Sequence, residues 1–333
     1  MEKLVVRSGV VGVALALVAC GGSPAQQDAG VQGDGGSTPD AGNECPLAAT
    51  ATLPLATTGT VAMPEAAPAD FACAGTRVAP TPGADISYTF NATFFSLGGA
   101  SRSTRVWFFP DNMVRDTCDP AVCQEIMTDT ATGSAAVHGP ASAWYAYRVF
   151  AHAGPTSSTT VMDSAQYNEA APDVAGGTVT GNVVAQQTID LIPAVFGYER
   201  APGTTLLAGR VFDCAGDPIR GAVFRIYEGG APICDGTLTT ETHLAYFDGN
   251  ETPDGTATYT NVDGLYAAIN VPIPADPTSL VRVEAWGRTA AGDPASGRRL
   301  GCEAIRVITN AVTIVNIGPL RSDYPVGHPC AGL

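Results

Sequence analysis

Lysine is all but missing: Lys3 is the sole example in a chain of 333 residues. Chemistry that needs a lysine in the body of the chain is therefore closed to it. That covers Schiff-base catalysis, a phosphate-loop ammonium and the Lys–Asn isopeptide bonds of some surface adhesin domains. Positive charge is scarce altogether, with 17 Lys and Arg against 32 Asp and Glu, for a formal net charge of −15. So acidic a body lacks the clustered cations that nucleic acid or anionic headgroups require of a partner. Histidine occurs only at His138, His152, His243 and His328, with no His-x-His pair and no His-Glu-x-x-His. No Gly-x-Ser-x-Gly elbow and no Gly-rich phosphate loop is present either. The apolar run at the start, Leu4–Ala19, falls short of the about 20 residues that a ~30 Å hydrocarbon core needs.

That run is preceded by Lys3 and Arg7 and reads as a secretory signal. It ends in Leu17-Val18-Ala19-Cys20, which resembles the lipobox of bacterial lipoprotein signals. The resemblance implies that Cys20 is acylated and that residues 1–19 are a signal peptide. Losing Glu2, Lys3 and Arg7 removes a net +1, so the charge of −15 becomes −16. The residue after Cys20 is Gly21 rather than the Asp of an inner-membrane retention signal, which favours the outer membrane or cell surface. Residues 20–44 then form the lipid-attachment cysteine and a linker of Gly, Ala, Asp, Gln, Ser and Pro, too poor in apolar bulk to fold. As a Gly-rich coil it spans roughly 25–30 Å, enough to hold a folded body clear of a bilayer.

With Cys20 acylated, eight cysteines remain: Cys45, Cys73, Cys118, Cys123, Cys214, Cys234, Cys302 and Cys330. An even number in an exported chain reads as disulfides, each worth about 2–4 kcal/mol. Cys118–Cys123 would close a small loop, and Cys45–Cys73 would tie the start of the first domain. The rest of the connectivity is not readable from sequence. Cys118-x4-Cys123 lacks a second pair and a nearby His, so no zinc site is expected.

Residues 206–230 read as a strand, a turn at Gly216-Asp217-Pro218 and a returning strand. In the latter Val223, Arg225 and Tyr227 alternate with Phe224 and Ile226. Further strand patterns follow over 254–272, 280–288 and 302–320, with turn residues between them and no helical period. This rhythm predicts an all-β sandwich. Gly209-x-Val211-x-Asp213-x-x-Gly216-x-Pro218-x-x-Gly221-Ala222, followed by Thr260-x-x-Asp263-Gly264-x-Tyr266, resembles the carboxypeptidase regulatory-like domain. The resemblance covers about residues 206–288 and implies a transthyretin-like fold, not an activity. The first half repeats the order of patterns. Residues 86–99 match 206–217, 103–112 match 221–230, 132–137 match 254–259, 142–149 match 263–270, and 187–193 match 312–319. Two tandem Ig/transthyretin-like sandwich domains are therefore expected, at 45–198 and 199–333.

Intradiol dioxygenases share the 209–222 pattern, but their paired iron-binding histidines have no match here. The terminal Tyr-Arg-Gly-Ser of hydroxyisourate hydrolases is absent as well; the chain ends His-Pro-Cys-Ala-Gly-Leu. Asp248, Asn250 and Asp254, with Glu251 between them, place enough hard oxygens in one loop for a weak Ca²⁺ candidate, broken by Gly249 and Pro253. Trp107, Trp144 and Tyr145 are the aromatics a saccharide would stack on, since neighbours in a strand face opposite ways and part of each cluster should be exposed. The expected role is non-catalytic and without cofactor: structural, adhesive or partner-binding at the envelope. The lipid engages the membrane, a protein or glycan partner remains unnamed, and nucleic acid is excluded. The alternatives are a carbohydrate-binding module and an envelope hydrolase or metalloenzyme.

Overall fold

The computed structural model describes residues 52–60, 63, 67–95, 99–153, 160–276 and 278–331. The signal, Cys20, the linker and Cys45 lie outside them. In chain order the strands are β1 (Thr57–Thr58), β2 (Ala67–Pro68), β3 (Asp85–Phe94), β4 (Arg105–Phe109), β5 (Gln124–Met127), β6 (Ser134–Pro140) and β7 (Trp144–Val149). There follow β8 (His152–Ala153), β9 (Thr160–Val161), β10 (Ser164–Ala170), β11 (Thr178–Val183) and the helix α1 (Gln186–Phe196). The second half holds β12 (Thr205–Arg210), β13 (Ile219–Arg220), β14 (Val223–Glu228), β15 (Ala231–Ile233), β16 (His243–Phe247), β17 (Pro253–Asp254), β18 (Leu265–Val271), β19 (Val281–Gly287), β20 (Arg298–Ile305) and β21 (Val312–Val315). The chain is thus nearly all β, and no described helix is long and apolar enough to cross a membrane.

One pairing order occurs twice. In the first half β3 lies between β11, parallel to it, and antiparallel β6, while β4 lies between β5 and β7, with β10 beyond β7. In the second half β12 lies between parallel β21 and antiparallel β18, while β14 lies between β15 and β19, with β20 beyond β19. The counterparts β3/β12 and β4/β14 fall where the sequence patterns place them. The later matches do not hold. β6 corresponds to β18 and β7 to β19, because the second half inserts β16 and β17 before β18. Residues 187–193 are not strand at all but lie inside α1. Ile189, Ile192 and Pro193 are buried at helical spacing, and Gly197 ends the helix with φ 73°, its N–H turned back to the preceding carbonyls.

The two sandwiches are joined by their strands. β10 runs parallel to β21 from Ser164↔Val312 to Tyr167↔Val315, and β21 runs parallel to β12. The result is one nine-stranded sheet, β17-β16-β18-β12-β21-β10-β7-β4-β5, shared by both halves. Alternation along its strands assigns the layers. Tyr145, Tyr147, Val106 and Phe108 point into a core with Tyr88 and Phe90 of the β11-β3-β6 sheet. Ala146, Phe109, Ala165 and Tyr167 point the other way, into a core with Leu207, Val315, Phe224 and Val283. The middle of the sheet is therefore covered on both sides. Consecutive aromatics are core on both faces here, with Phe108 and Phe109 each 0% exposed, where the sequence suggested one face in solvent.

The segment ahead of β3 belongs spatially to the other sandwich. Leu53 N–H donates to the Ala295 carbonyl (3.0 Å), Ala56 N–H to that of Arg288 (2.6 Å), and β1 pairs with β13. Cys73 is bonded to Cys214, not to Cys45 as the sequence suggested. Proximity in sequence misleads there, because the segment leaves the first sandwich. Cys118–Cys123 closes the expected short loop, Cys302 pairs with Cys330, and Cys234 is disulfide-bonded as well.

Candidate functional site

Trp144 opens β7 opposite Ala170 of β10. Tyr145 and Tyr147 fill the first core, so period two turns Trp144 to the other side, at the end of the shared sheet. Two guanidiniums lie over its indole, Arg77 at 5.5 Å and Arg321 at 5.0 Å from the ring centroid. They come from opposite ends of the chain and are held together by backbone. Gly75 N–H donates to the Leu320 carbonyl (2.9 Å) and Ser322 N–H to that of Arg77 (2.8 Å).

Glu303, on β20, is 9% exposed and completes the cluster. Burial pushes its carboxyl up to about 7, against the opposing pull of Arg321, a hydrogen bond from Asn168 and Arg77. Asn168 sits at φ 63° where the β10 register shifts. Its amide is fixed by Asn112, whose Nδ2 donates to Asn168 Oδ1 at 2.6 Å while Asn168 N–H donates to Asn112 Oδ1 at 2.8 Å. Asp213 is consumed structurally, accepting from the backbone of Asp70, Ala215 and Asp217. Arg77, Trp144, Asn168, Asp213, Glu303 and Asn316 line a cleft of about 420 Å³. Its chemistry is that of a hydrogen-bonding pocket, with guanidinium and amide donors beside a carboxyl raised by burial to about 7; among the described residues no hydroxyl nucleophile or free thiol is on its walls. Only Trp144 of this set stands out in the sequence. Arg77, Asn168, Glu303 and Arg321 come from four separated segments, and no spacing rule connects them.

The other sequence candidates are dispersed. Tyr145 is 1% exposed and is core, not a ligand platform. Trp107 is half-buried, edge-on to Phe150 with centroids 4.6 Å apart, and Arg105 and Arg148 lie over it. In the 246–255 loop Asp248 Oδ1 accepts from Asn250 N–H (2.8 Å) and Thr252 N–H (3.0 Å), Asp254 caps Thr256, and Glu251 pairs with Arg210. Asp248 and Asp254 thus accept turn hydrogen bonds, and no group of three His, Cys, Asp or Glu that could hold a metal forms among the described residues.

Each histidine keeps its own company. His138 Nδ1 is 3.0 Å from Ser87 Oγ on the neighbouring strand. His152 Nδ1 faces the Phe150 carbonyl. His243 stacks on Tyr198 with its nitrogens at Asp235 (3.3 Å) and the Leu238 carbonyl (2.7 Å). His328 stacks on Tyr324, where burial lowers its pKa.

No family model matches the chain, and no curated protein matches it. Among solved structures it is similar to three streptococcal pilins. The minor pilin GBS52 of Streptococcus agalactiae is 11% identical over 72% of this chain and 98% of that one, with a TM-score of 0.19. The major pilin T-13 of Streptococcus pyogenes is 10% identical over 73% of this chain and 100% of its own, at 0.16. The major pilin RrgB of Streptococcus pneumoniae is 9% identical over 73% of this chain and 49% of its own, at 0.19. Likenesses this faint carry no argument about function.

Proposed function

We propose that this chain is a non-catalytic lipoprotein of the bacterial cell envelope, held at the outer membrane or cell surface by acylated Cys20, whose body presents its loops to an envelope partner. The observation that carries the reading is the single sheet running through both sandwiches, with Cys73–Cys214 fastening the leading segment to the far one. A scaffold joined in this way transmits position, which suits a structural or adhesive role. The fold of 206–288 is proposed to be the carboxypeptidase regulatory-like one. The glycan alternative finds less support: Tyr145 is core, Trp107 is edge-on to Phe150, and Trp144 already lies beneath two guanidiniums.

Two experiments test the proposal. Cys20→Ser should release the protein from the membrane fraction on carbonate washing; retention would contradict the anchor. The near-absence of lysine allows a clean crosslink. Gly292 is exposed, and a Cβ there meets nothing within 4 Å. Amine crosslinking of intact cells carrying Gly292→Lys should capture one recurrent envelope protein. Capture of nothing, there or from a lysine on the first sandwich, would overturn the partner-binding role.

A further inference from the structure

The covering of the shared sheet changes where the two halves meet. On one face the β11-β3-β6 sheet covers the first half, while α1 covers the second through Ile189 and Ile192 packed on Leu206, Leu265 and Val312. Between these covers the sheet is left open along three parallel strands, as a cleft of about 350 Å³. Period two places matching residues in rows across it. Leu206 of β12 is level with Val312 of β21, Ala208 with Ile314, and Gln166 of β10 also with Ile314. One step further, Arg210 N–H donates to Asn316 Oδ1 at 3.2 Å. The cleft is therefore apolar at the helix end and polar at the other.

Glu169 and Arg210 are the only charged residues lining the cleft among the described residues. Arg210 is engaged by Glu251. Glu169 has no cationic partner among the described residues, yet it is held in place. Gln166 Nε2 donates to its Oε1, and Asn316 Nδ2 reaches the same oxygen at 3.5 Å. Gln166 is fixed in turn, its Oε1 accepting from Tyr147 Oη (2.5 Å) and Asn182 Nδ2 (3.1 Å). A half-buried carboxylate kept by an ordered amide network, beside an apolar trough of this size, fits the usual make-up of a small-molecule site. Desolvation already raises the Glu169 pKa, so a cation arriving there supplies the charge its surroundings lack.

We infer that this cleft binds a small amphipathic amine, its ammonium at Glu169 and its aliphatic body along Ala208, Ile314, Leu206 and Ile189. The acidic chain as a whole favours the approach of such a cation. The test is calorimetric titration of the mature protein with n-octylammonium, n-octanoate and n-octanol. Octylammonium should bind at one site, with octanoate at least about tenfold weaker. Ala208 is half-exposed, so Ala208→Phe should fill the cleft and abolish binding with an unchanged unfolding transition. The near-isosteric Glu169→Gln should weaken octylammonium about tenfold or more while leaving octanol unchanged. Equal binding of octanoate and octylammonium, no binding of either, or binding that survives both substitutions would overturn the assignment.

Discussion

In the first sandwich the outermost strand of the four-stranded layer, β10, meets another strand: β21 zips onto it in parallel. Its counterpart in the second sandwich, β20, is covered by the chain's own tail. Leu320 N–H donates to the Leu300 carbonyl (2.9 Å), Tyr324 Oη to that of Cys302 (2.5 Å), and Cys302–Cys330 fastens the wrap. The same topology thus exposes the same edge twice, and an open edge invites pairing with another chain. The first sandwich closes it with a strand of the second, and the second closes it with a stapled segment of its own. The difference teaches that the boundary between the sandwiches is a piece of sheet rather than a hinge.

Cutting two of the disulfide staples separately should show unequal costs. Replacing Cys73 and Cys214 by Ser opens a loop with sequence separation 141, which chain-entropy arithmetic values at about 5 kcal/mol. Replacing Cys302 and Cys330 opens one of 28, at about 3.6 kcal/mol, and should also raise proteolysis beyond Ile305. Denaturant unfolding checks the order, and a larger loss from the tail pair would reverse the comparison.

Two glycines sharpen it further. A Cβ at Gly209 would sit 1.8 Å from the Val315 carbonyl oxygen, so Gly209→Ala forces β12 away from β21 and should cost about 3 kcal/mol or more. A Cβ at Gly181 meets the Phe90 ring first, at 2.0 Å. A tilting ring yields more readily than backbone, and Gly181→Ala should fall nearer about 1–2 kcal/mol in the same thermal assay.

Glu303 gives the meeting point a pH dependence. Its pKa is about 7 folded against 4.5 as the ordinary value, so the folded state holds the proton more tightly. That contribution is full below about pH 4.5 and fades as pH rises through about 7, a loss of up to roughly 3 kcal/mol. Glu303→Gln should flatten the decline between pH 5 and pH 8. The smallest effect is expected at Glu251: its pair with Arg210 is solvent-accessible, and Glu251→Ala should cost under about 1 kcal/mol.

Much of this architecture is legible in the residues. Alternation and turn chemistry mark β3, β4, β12 and β14, and the repeat shows in their order. The phase is lost after β14, because any strand has period two and nothing in it announces that β16 and β17 have been inserted. Helix α1 hides in an apolar stretch of only 11 residues. Trp107-Phe108-Phe109 suggests a half-exposed strand because both-sided burial arises only once β10 and β21 pair. Of the Trp144 cleft only Trp144 itself is legible, since an indole is conspicuous and scattered arginines and carboxylates are not.

The central claim is that both sandwiches unfold as one body, and scanning calorimetry of the mature protein tests it most directly. Phe108 and Phe224 are each buried in a different core, at 0% and 1% exposure. The account predicts one transition with equal calorimetric and van't Hoff enthalpies, shifted down as a whole by Phe108→Ala and likewise by Phe224→Ala. Two separable transitions, each moved by only one of the substitutions, would contradict it.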